Sequence, residues 1–196
     1  MDYYKSIDQF SLLMESDIDF SEAKNAFFDR QKNHNTSVRD ILDKLSVKFP
    51  KHDSELDLRG RNHDSDKLKD PLLIPYVYMS AMYKDKALTI DDEMKNRIAQ
   101  AKFDHVKTNP HHPEFWDKSL IENPFKVHGR FAKSKVINAS KMDDDSILEM
   151  VADWTAMGIE MGDSARSWAD KVIKKRFDFT SQQIELIYKA IKSLEG

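Results

Sequence analysis

The sequence predicts an all-α fold. Apolar residues recur at i, i+3, i+4 and i+7 in Val38, Ile41, Leu42 and Leu45, the signature of one buried helical face. Five Gly and six Pro in 196 residues leave turn punctuation sparse, which favours long helices over many short strands. Cap-type residues flank several of the periodic stretches. The length fits one domain and is enough to bury a core.

Residues 5–16 and 20–33 read as an N-terminal helical region, with Ser21 or Asp19 as cap of the second helix. Ala23, Ala26, Phe27 and Arg30 fall at helical intervals. A clearer helix runs from about Asn35 to Phe49, and Pro50 ends it. Residues 51–60 are polar, contain Gly60 and read as a loop. His63-Asp64 then opens a short helix or irregular stretch limited by Pro71 and Pro75. Tyr76, Val77, Met79, Ala81, Met82 and Tyr83 resume a buried helix. Thr89 is the expected cap of the next, which has acids in its first turn and runs to about Lys107. Its inward candidates are Ile98, Ala101, Phe103 and His105, and Asn109-Pro110 stops it. Residues 122–141, with Lys126, His128, Arg130, Lys133, Lys135 and Lys141, read as an exposed basic loop or short hairpin. Ser146 and Glu149 form a capping-box pattern before the stripe Ile147, Met150, Val151, Trp154 and Met157. Gly158 and Gly162 mark a close contact or a break. Residues 163–176 and 180–195 supply two terminal helices, the last starting at Thr180 or Ser181.

Composition removes several function classes. The charged fraction is 33%, but the signs nearly cancel at a formal −3, which does not suit binding to duplex nucleic acid. The absence of cysteine excludes disulfides, thiolate metal sites, iron–sulfur clusters and cysteine nucleophiles. No stretch approaches the ~20 apolar residues of a membrane helix, and Met1-Asp2-Tyr3-Tyr4 lacks a secretory pattern. The expectation is a cytoplasmic protein without a membrane partner.

Five of the seven histidines fall into an ordered pattern: His34, then His63-Asp64, then His105 with His111-His112, followed by Asp153. Histidine is the commonest nitrogen ligand of transition metals, and carboxylates complete such sites. His34 lies one turn before Val38 and shares its face if the helix starts early enough; His52 competes for the same role. A carboxylate in a His-Asp pair can offer its two oxygens to two neighbouring ions. The three histidines at 105, 111 and 112 read either as ligands or as a polar surface turn. Asp153 sits in the apolar run Met150-Val151-Ala152-Asp153-Trp154. A buried carboxylate there needs a cation or donors. The competing reading turns it outward or pairs it with Arg166. Glu149, one turn earlier, is assigned to the helix cap rather than to the site. Imidazoles with two carboxylates and no thiolate suit iron, manganese, zinc, cobalt or nickel better than magnesium or calcium.

This order of residues resembles the HD superfamily of metal-dependent hydrolases: a His, a His-Asp, further histidines and a distant Asp. The fuller pattern is similar to that of the HD-GYP phosphodiesterases and the mixed-valent diiron oxygenases. The segments His63-Asp64-Ser65-Asp66-Lys67, Asn109-Pro110-His111-His112-Pro113-Glu114-Phe115-Trp116 and Glu149-Met150-Val151-Ala152-Asp153-Trp154 also resemble a family of small HD-like proteins from bacteria and their phages. The resemblance spans about residues 34–168. His105 stands closer to His111 than is usual in that superfamily, and the Gly-Tyr-Pro signature is missing.

The resemblance implies a single-domain helical bundle of the HD type over 34–196, with residues 1–33 as an extension packed on it. It implies a mono- or dinuclear site, with two divalent ions the favoured count, held by His34, His63, Asp64, His105, His111, His112 and Asp153, and hydrolysis of a phosphate ester, usually a nucleotide. Such ions act as Lewis acids on a phosphoryl oxygen and lower the pKa of water. Asp64 would bridge or orient that water, and Lys67, three residues on, would neutralise phosphate charge. Lys126, Arg130 and Lys133 would form a basic rim that attracts the anion. Lys67 and the rim residues read equally as solvated surface charges. Phe115 and Trp116 would stack a base or anchor their turn to the core. The alternatives are a diiron oxygenase on the same scaffold and a non-catalytic metal-containing binding protein. A homo-oligomer is compatible with the sequence.

Overall fold

One 29-residue helix, α1 (Phe20–Lys48), forms the spine of the protein. The computed structural model describes residues 18–123, 125 and 136–195. The expected helix at 5–16 therefore lies outside the described residues. Asp19 caps α1 by accepting from the amides of Ser21 and Glu22. The helices expected at 20–33 and 35–49 are a single helix, because Gln31-Lys32-Asn33-His34 contains no breaker. His34 consequently lies in mid-helix on the face of Val38. Val38, Ile41, Leu42 and Leu45 are all buried.

A turn of 3-10 helix at Pro50–His52 leads into α2 (Asp53–Asn62). The expected loop at 51–60 is thus a helix. Its buried apolar face is only Leu56 and Gly60, too narrow to register as a stripe; an Asp57–Arg61 pair lies on its exposed side, and Glu55 pairs with the largely buried Arg59. Gly60 makes a close approach rather than a turn. A Cβ there would stand 3.3 Å from Leu42 Cδ1, so α2 crosses α1 at near-contact distance.

His63 ends α2, and a second 3-10 turn follows at Ser65–Leu68. Next come α3 (Leu73–Lys84), α4 (Asp92–Thr108) and the single turn α5 (Pro113–Trp116). Asp91, not Thr89, caps α4, accepting from the Met94 amide. Of the inward candidates on α4, Ile98, Ala101 and His105 are buried and Phe103 is half-buried.

Strand β1 (Ile137–Asn138) pairs in parallel with β2 (Phe177–Asp178), so residues 137–138 do not pair within their own segment as a hairpin would. Helix α6 (Asp144–Met161) is capped by Asp143, which accepts from the Ser146 amide. The expected Ser146–Glu149 box does not form. Gly162 ends α6 in the left-handed region at φ 68°, and a Cβ on Gly158 would meet the Asp163 carbonyl oxygen at 2.9 Å. Helices α7 (Ala165–Val172) and α8 (Ser181–Leu194) complete the chain, the latter with a capping box of Thr180 and Gln183.

Helix α1 packs against α2, α3, α6 and α8. The main core lies where α1, α2, α6, α7 and α8 meet, around Leu42, Leu45, Leu56, Ile147, Leu148, Val151 and Ile187. Fully burying each such side chain contributes roughly 1.5–3 kcal/mol. Smaller clusters, around Phe27, Leu73 and Val77 and around Tyr78, Met94 and Ile98, join α3 and α4 to it. The polar cluster described next sits where α1, the α2 terminus, α4, α5 and α6 converge.

Candidate metal centre

Each element delivers its polar residue for a local reason. Mid-helix His34 projects from α1 one turn before Val38. Asp153 lies on α6 between buried Val151, Ala152 and Trp154. His105 is in the last turns of α4, and His111 and His112 lie on the turn that Pro110 and Pro113 frame. His63 and Asp64 form the break between α2 and the 3-10 turn at Ser65–Leu68, so they open a short, irregular stretch as the sequence predicts. Asp64 has φ 56°, a left-handed conformation that Asp tolerates better than most residues.

The kink directs the Asp64 carboxylate between two groups of imidazoles. On one side, His34 Nε2 lies 3.1 Å from Asp153 Oδ1 and 3.9 Å from Asp64 Oδ2. His63 Nε2 lies 3.7 Å from the same Asp64 oxygen and 3.8 Å from Asp153 Oδ1. On the other side, Asp64 Oδ1 faces His105 Nε2 at 3.3 Å and His111 Nε2 at 3.6 Å. His112 Nε2 is 3.0 Å from His105 Nε2. Ligand atoms about 2.0–2.2 Å from one ion stand roughly 3.0–3.6 Å apart in tetrahedral or octahedral cis arrangement. Both groups approach that spacing.

Three buried atoms here have no hydrogen-bond partner: His63 Nε2, Asp64 Oδ1 and His111 Nε2. Leaving a buried polar atom unpaired costs about 1–3 kcal/mol. All three belong to the same cluster, so one or two cations would satisfy them together. Among the described residues, four overlapping groups could hold a metal ion: His34, His63 and Asp64; His105, His111 and His112; His63, His111 and Glu149; and Asp64, Asp66 and His105. Imidazole and carboxylate donors without thiolate fit a borderline divalent transition ion.

The electrostatics agree with a site arranged for positive charge. Burial opposes protonation of His63, but Asp64, Asp153 and Glu149 outweigh it and raise the imidazole to about 10. Burial likewise opposes ionisation of Asp64 and Asp153. Lys67, His63 and His105 around Asp64, and His34 and His63 around Asp153, hold both carboxyls well below the usual range. Burial beside His111 and His105 pushes His112 well below an ordinary histidine. Lys67 Nζ donates to Asp64 Oδ2 at 2.5 Å, and that carboxylate raises the lysine against the effect of burial.

A surrounding layer of partners orients these groups, and sequence reasoning missed it. Glu149 is 5% exposed and faces the Nδ1 atoms of His63 and His111, at 2.9 and 3.3 Å. Arg59 donates to its other oxygen at 3.0 Å. Asp66 Oδ2 meets His105 Nδ1 at 2.8 Å and accepts from Asn109 Nδ2 at 2.7 Å. Gln31 Nε2 donates to Asp64 Oδ2 at 3.3 Å. Signals were available: Gln31 lies one turn before His34, and Glu149 one turn before Asp153. The capping-box pattern drew Glu149 to the helix terminus instead.

Other candidates fall elsewhere. His52 pairs with Asp145 away from the cluster, at 2.5 Å. Arg166 pairs with Glu195, not with Asp153. Trp116 donates from Nε1 to the Pro110 carbonyl and packs on the core, so it anchors its turn. Lys126, Arg130 and Lys133 lie outside the described residues. A groove of about 800 Å³ is lined in part by Ala23, Ala26, Arg30, Tyr83, Lys84 and Glu160, and by none of the cluster's histidines or aspartates. Its lining includes the Arg30–Glu160 ion pair, and Glu160 Oε2 lies 4.0 Å from His34 Nδ1. Ala23, Ala26, Arg30 and His34 share one stripe of α1, which leads from groove to cluster.

The fold and this cluster define a class: an all-α protein whose buried histidines and aspartates could hold metal. More particularly, the chain belongs to the family described as a family of unknown function (DUF5662), which it matches over residues 23–193. None of the curated proteins and none of the solved structures compared with it matches the chain. Among the described residues, no helix is long and apolar enough to cross a membrane.

Proposed function

We propose that the protein is a metal-dependent phosphohydrolase acting on a nucleotide or a related phosphate ester. The observation that carries this reading is the placement of Asp64. Its two oxygens face two separate sets of imidazoles, and an ammonium stands beside it. The order of residues, which resembles the HD hydrolases, supports the same reading.

Two divalent ions held by these groups would polarise a phosphoryl oxygen and make hydroxide available near neutral pH. His34, His63, Asp153 and Asp64 Oδ2 would hold one ion; His105, His111, His112 and Asp64 Oδ1 would hold the other. Asp64 fixes the spacing between the two groups. Lys67 exchanges its contact with Asp64 for a phosphate oxygen, bringing a positive charge to an anionic substrate. Buried His63, His105 and His111 keep bulk water from the closed side. Asp153, 18% exposed in its side chain, marks the open side.

The test is elemental analysis of the purified protein, followed by a screen of nucleotides and a generic phosphodiester. Bound iron, manganese, zinc, cobalt or nickel with turnover that Asp64→Asn abolishes is the expected result. A metal-loaded protein inert to every phosphate ester removes the hydrolase reading. A second reading, a diiron oxygenase, is favoured by the three imidazoles around the second position. A mixed-valent iron signal in electron paramagnetic resonance without phosphate release would place it first.

A further inference from the structure

Two carboxylates stand on opposite sides of the His63–His111 pair. Asp64 faces the Nε2 atoms, with Oδ2 3.7 Å from His63 and Oδ1 3.6 Å from His111. Glu149 faces the Nδ1 atoms, and it does so with one oxygen. Oε1 is 2.9 Å from His63 Nδ1 and 3.3 Å from His111 Nδ1. The two rings lie 4.6 Å apart, centre to centre. The four side chains therefore close a ring in which each imidazole belongs to a different ion position.

We infer that Glu149 is a positioning residue that couples the two ion positions, so that they fill and empty together. The inference rests on the metal-centre reading above. Glu149 Oε1 is an acceptor, so each facing Nδ1 must carry its proton. In the neutral rings this fixes both tautomers at once and leaves each Nε2 lone pair on the side of Asp64. A carboxylate behind a ligating histidine sets ring orientation and raises ligand basicity, and its loss commonly weakens metal binding 10- to 100-fold. Here one oxygen does this for two histidines that serve different ions. With His63 held in line, Glu149 Oε1 would be ordered and would present His111 already oriented. The second ion meets a smaller ordering cost, which is positive coupling between the sites.

Glu149 is anchored through its other oxygen. Its Oε2 accepts from Arg59 Nη1 at 3.0 Å, and Arg59 also donates to Ser146 Oγ at 3.1 Å and to Glu55 Oε1 at 2.8 Å. The anchor is on Oε2, so Oε1 is the oxygen that follows the two imidazoles. The contrast is Asp66. It meets the Nδ1 of His105 alone among the ligand candidates, and so serves only the second position.

The test is calorimetric titration with Mn²⁺ of the full chain, with elemental analysis after gel filtration. Wild type is compared with Glu149→Gln, Asp66→Asn and Arg59→Lys. The expected wild-type result is two ions per chain in a cooperative isotherm. Glu149→Gln weakens both ions by roughly 10- to 100-fold. Asp66→Asn weakens one and spares the other. Arg59→Lys keeps Glu149 but loosens its anchor, and weakens both by a smaller factor; it carries the test if Glu149→Gln fails to fold. Loss of a single ion in Glu149→Gln, or unequal weakening in Arg59→Lys, overturns the coupling while leaving the metal centre intact. A wild-type chain that binds no divalent ion overturns the metal reading and the coupling with it.

Discussion

Replacing Lys67 by Met should strengthen metal binding while removing turnover. In the structure the Lys67 ammonium donates to Asp64 Oδ2 at 2.5 Å, with its side chain 17% exposed and that of Asp64 1% exposed. A cation coordinated by the same oxygen must compete with this ion pair. Breaking a fully buried pair costs about 3–5 kcal/mol, whereas an exposed one contributes about 0–1 kcal/mol. Lys67 lies between these limits, so about 2–3 kcal/mol is a fair figure for the chelated protein. For a chain of this length that lowers Tm by about 4–12 °C. The loaded protein, in which Asp64 already faces cations, loses less. The difference appears as tighter binding, roughly tenfold for each ~1.4 kcal/mol not lost by the loaded form. Scanning fluorimetry in chelator and in excess Mn²⁺ measures the two stabilities, and calorimetry measures Kd directly. A Kd that weakens in Lys67→Met, or an unchanged Tm in chelator, refutes the argument that Lys67 occupies a cation's place.

Metal uptake should release protons and tighten with pH. His63 is raised to about 10, so its contribution to folding is full below about 6.5 and is lost as pH rises through about 10. Binding at Nε2 requires the neutral ring, so apparent affinity should rise up to tenfold per pH unit between about 7 and 9. Calorimetry in two buffers of different ionisation enthalpy counts the proton; none released contradicts this. Asp64 and Asp153 have lowered values, so their contribution holds above about 4 and disappears in acid, and far-ultraviolet dichroism should show unfolding there. Chelator should lower Tm: ligand at 100 times its Kd contributes about 2.7 kcal/mol, or about 5–11 °C at this length. Gly158→Ala should destabilise by about 1–3 kcal/mol in a urea titration, because its Cβ would press on the Asp163 carbonyl.

The helices and the site were not equally legible in the sequence. Val38, Ile41, Leu42 and Leu45 announced their helix because a broad buried face repeats every turn. Helix α2 was hidden because only Leu56 and Gly60 are buried and the glycine read as a turn. Cap assignments failed at Thr89 and Ser146 for one reason: an aspartate nearby, Asp91 or Asp143, reached the orphan amides instead. Asp153 and the histidines stood out as polar residues among apolar neighbours or beside prolines. Glu149, Asp66 and Gln31 did not, since each has an ordinary local explanation. Their partners lie 86, 39 and 33 positions away, a separation no local pattern encodes.

The backward-turned main chain at position 64 narrows what can stand there. Glycine, asparagine and aspartate adopt such torsions at small cost, while longer or branched side chains do so at greater cost. Of those three, aspartate alone brings negative charge. On the proposed metal reading, backbone geometry and ligand chemistry favour the same residue independently. Asparagine accordingly serves as the clean chemical knockout, whereas glutamate, though acidic, would disturb the chain path along with the centre.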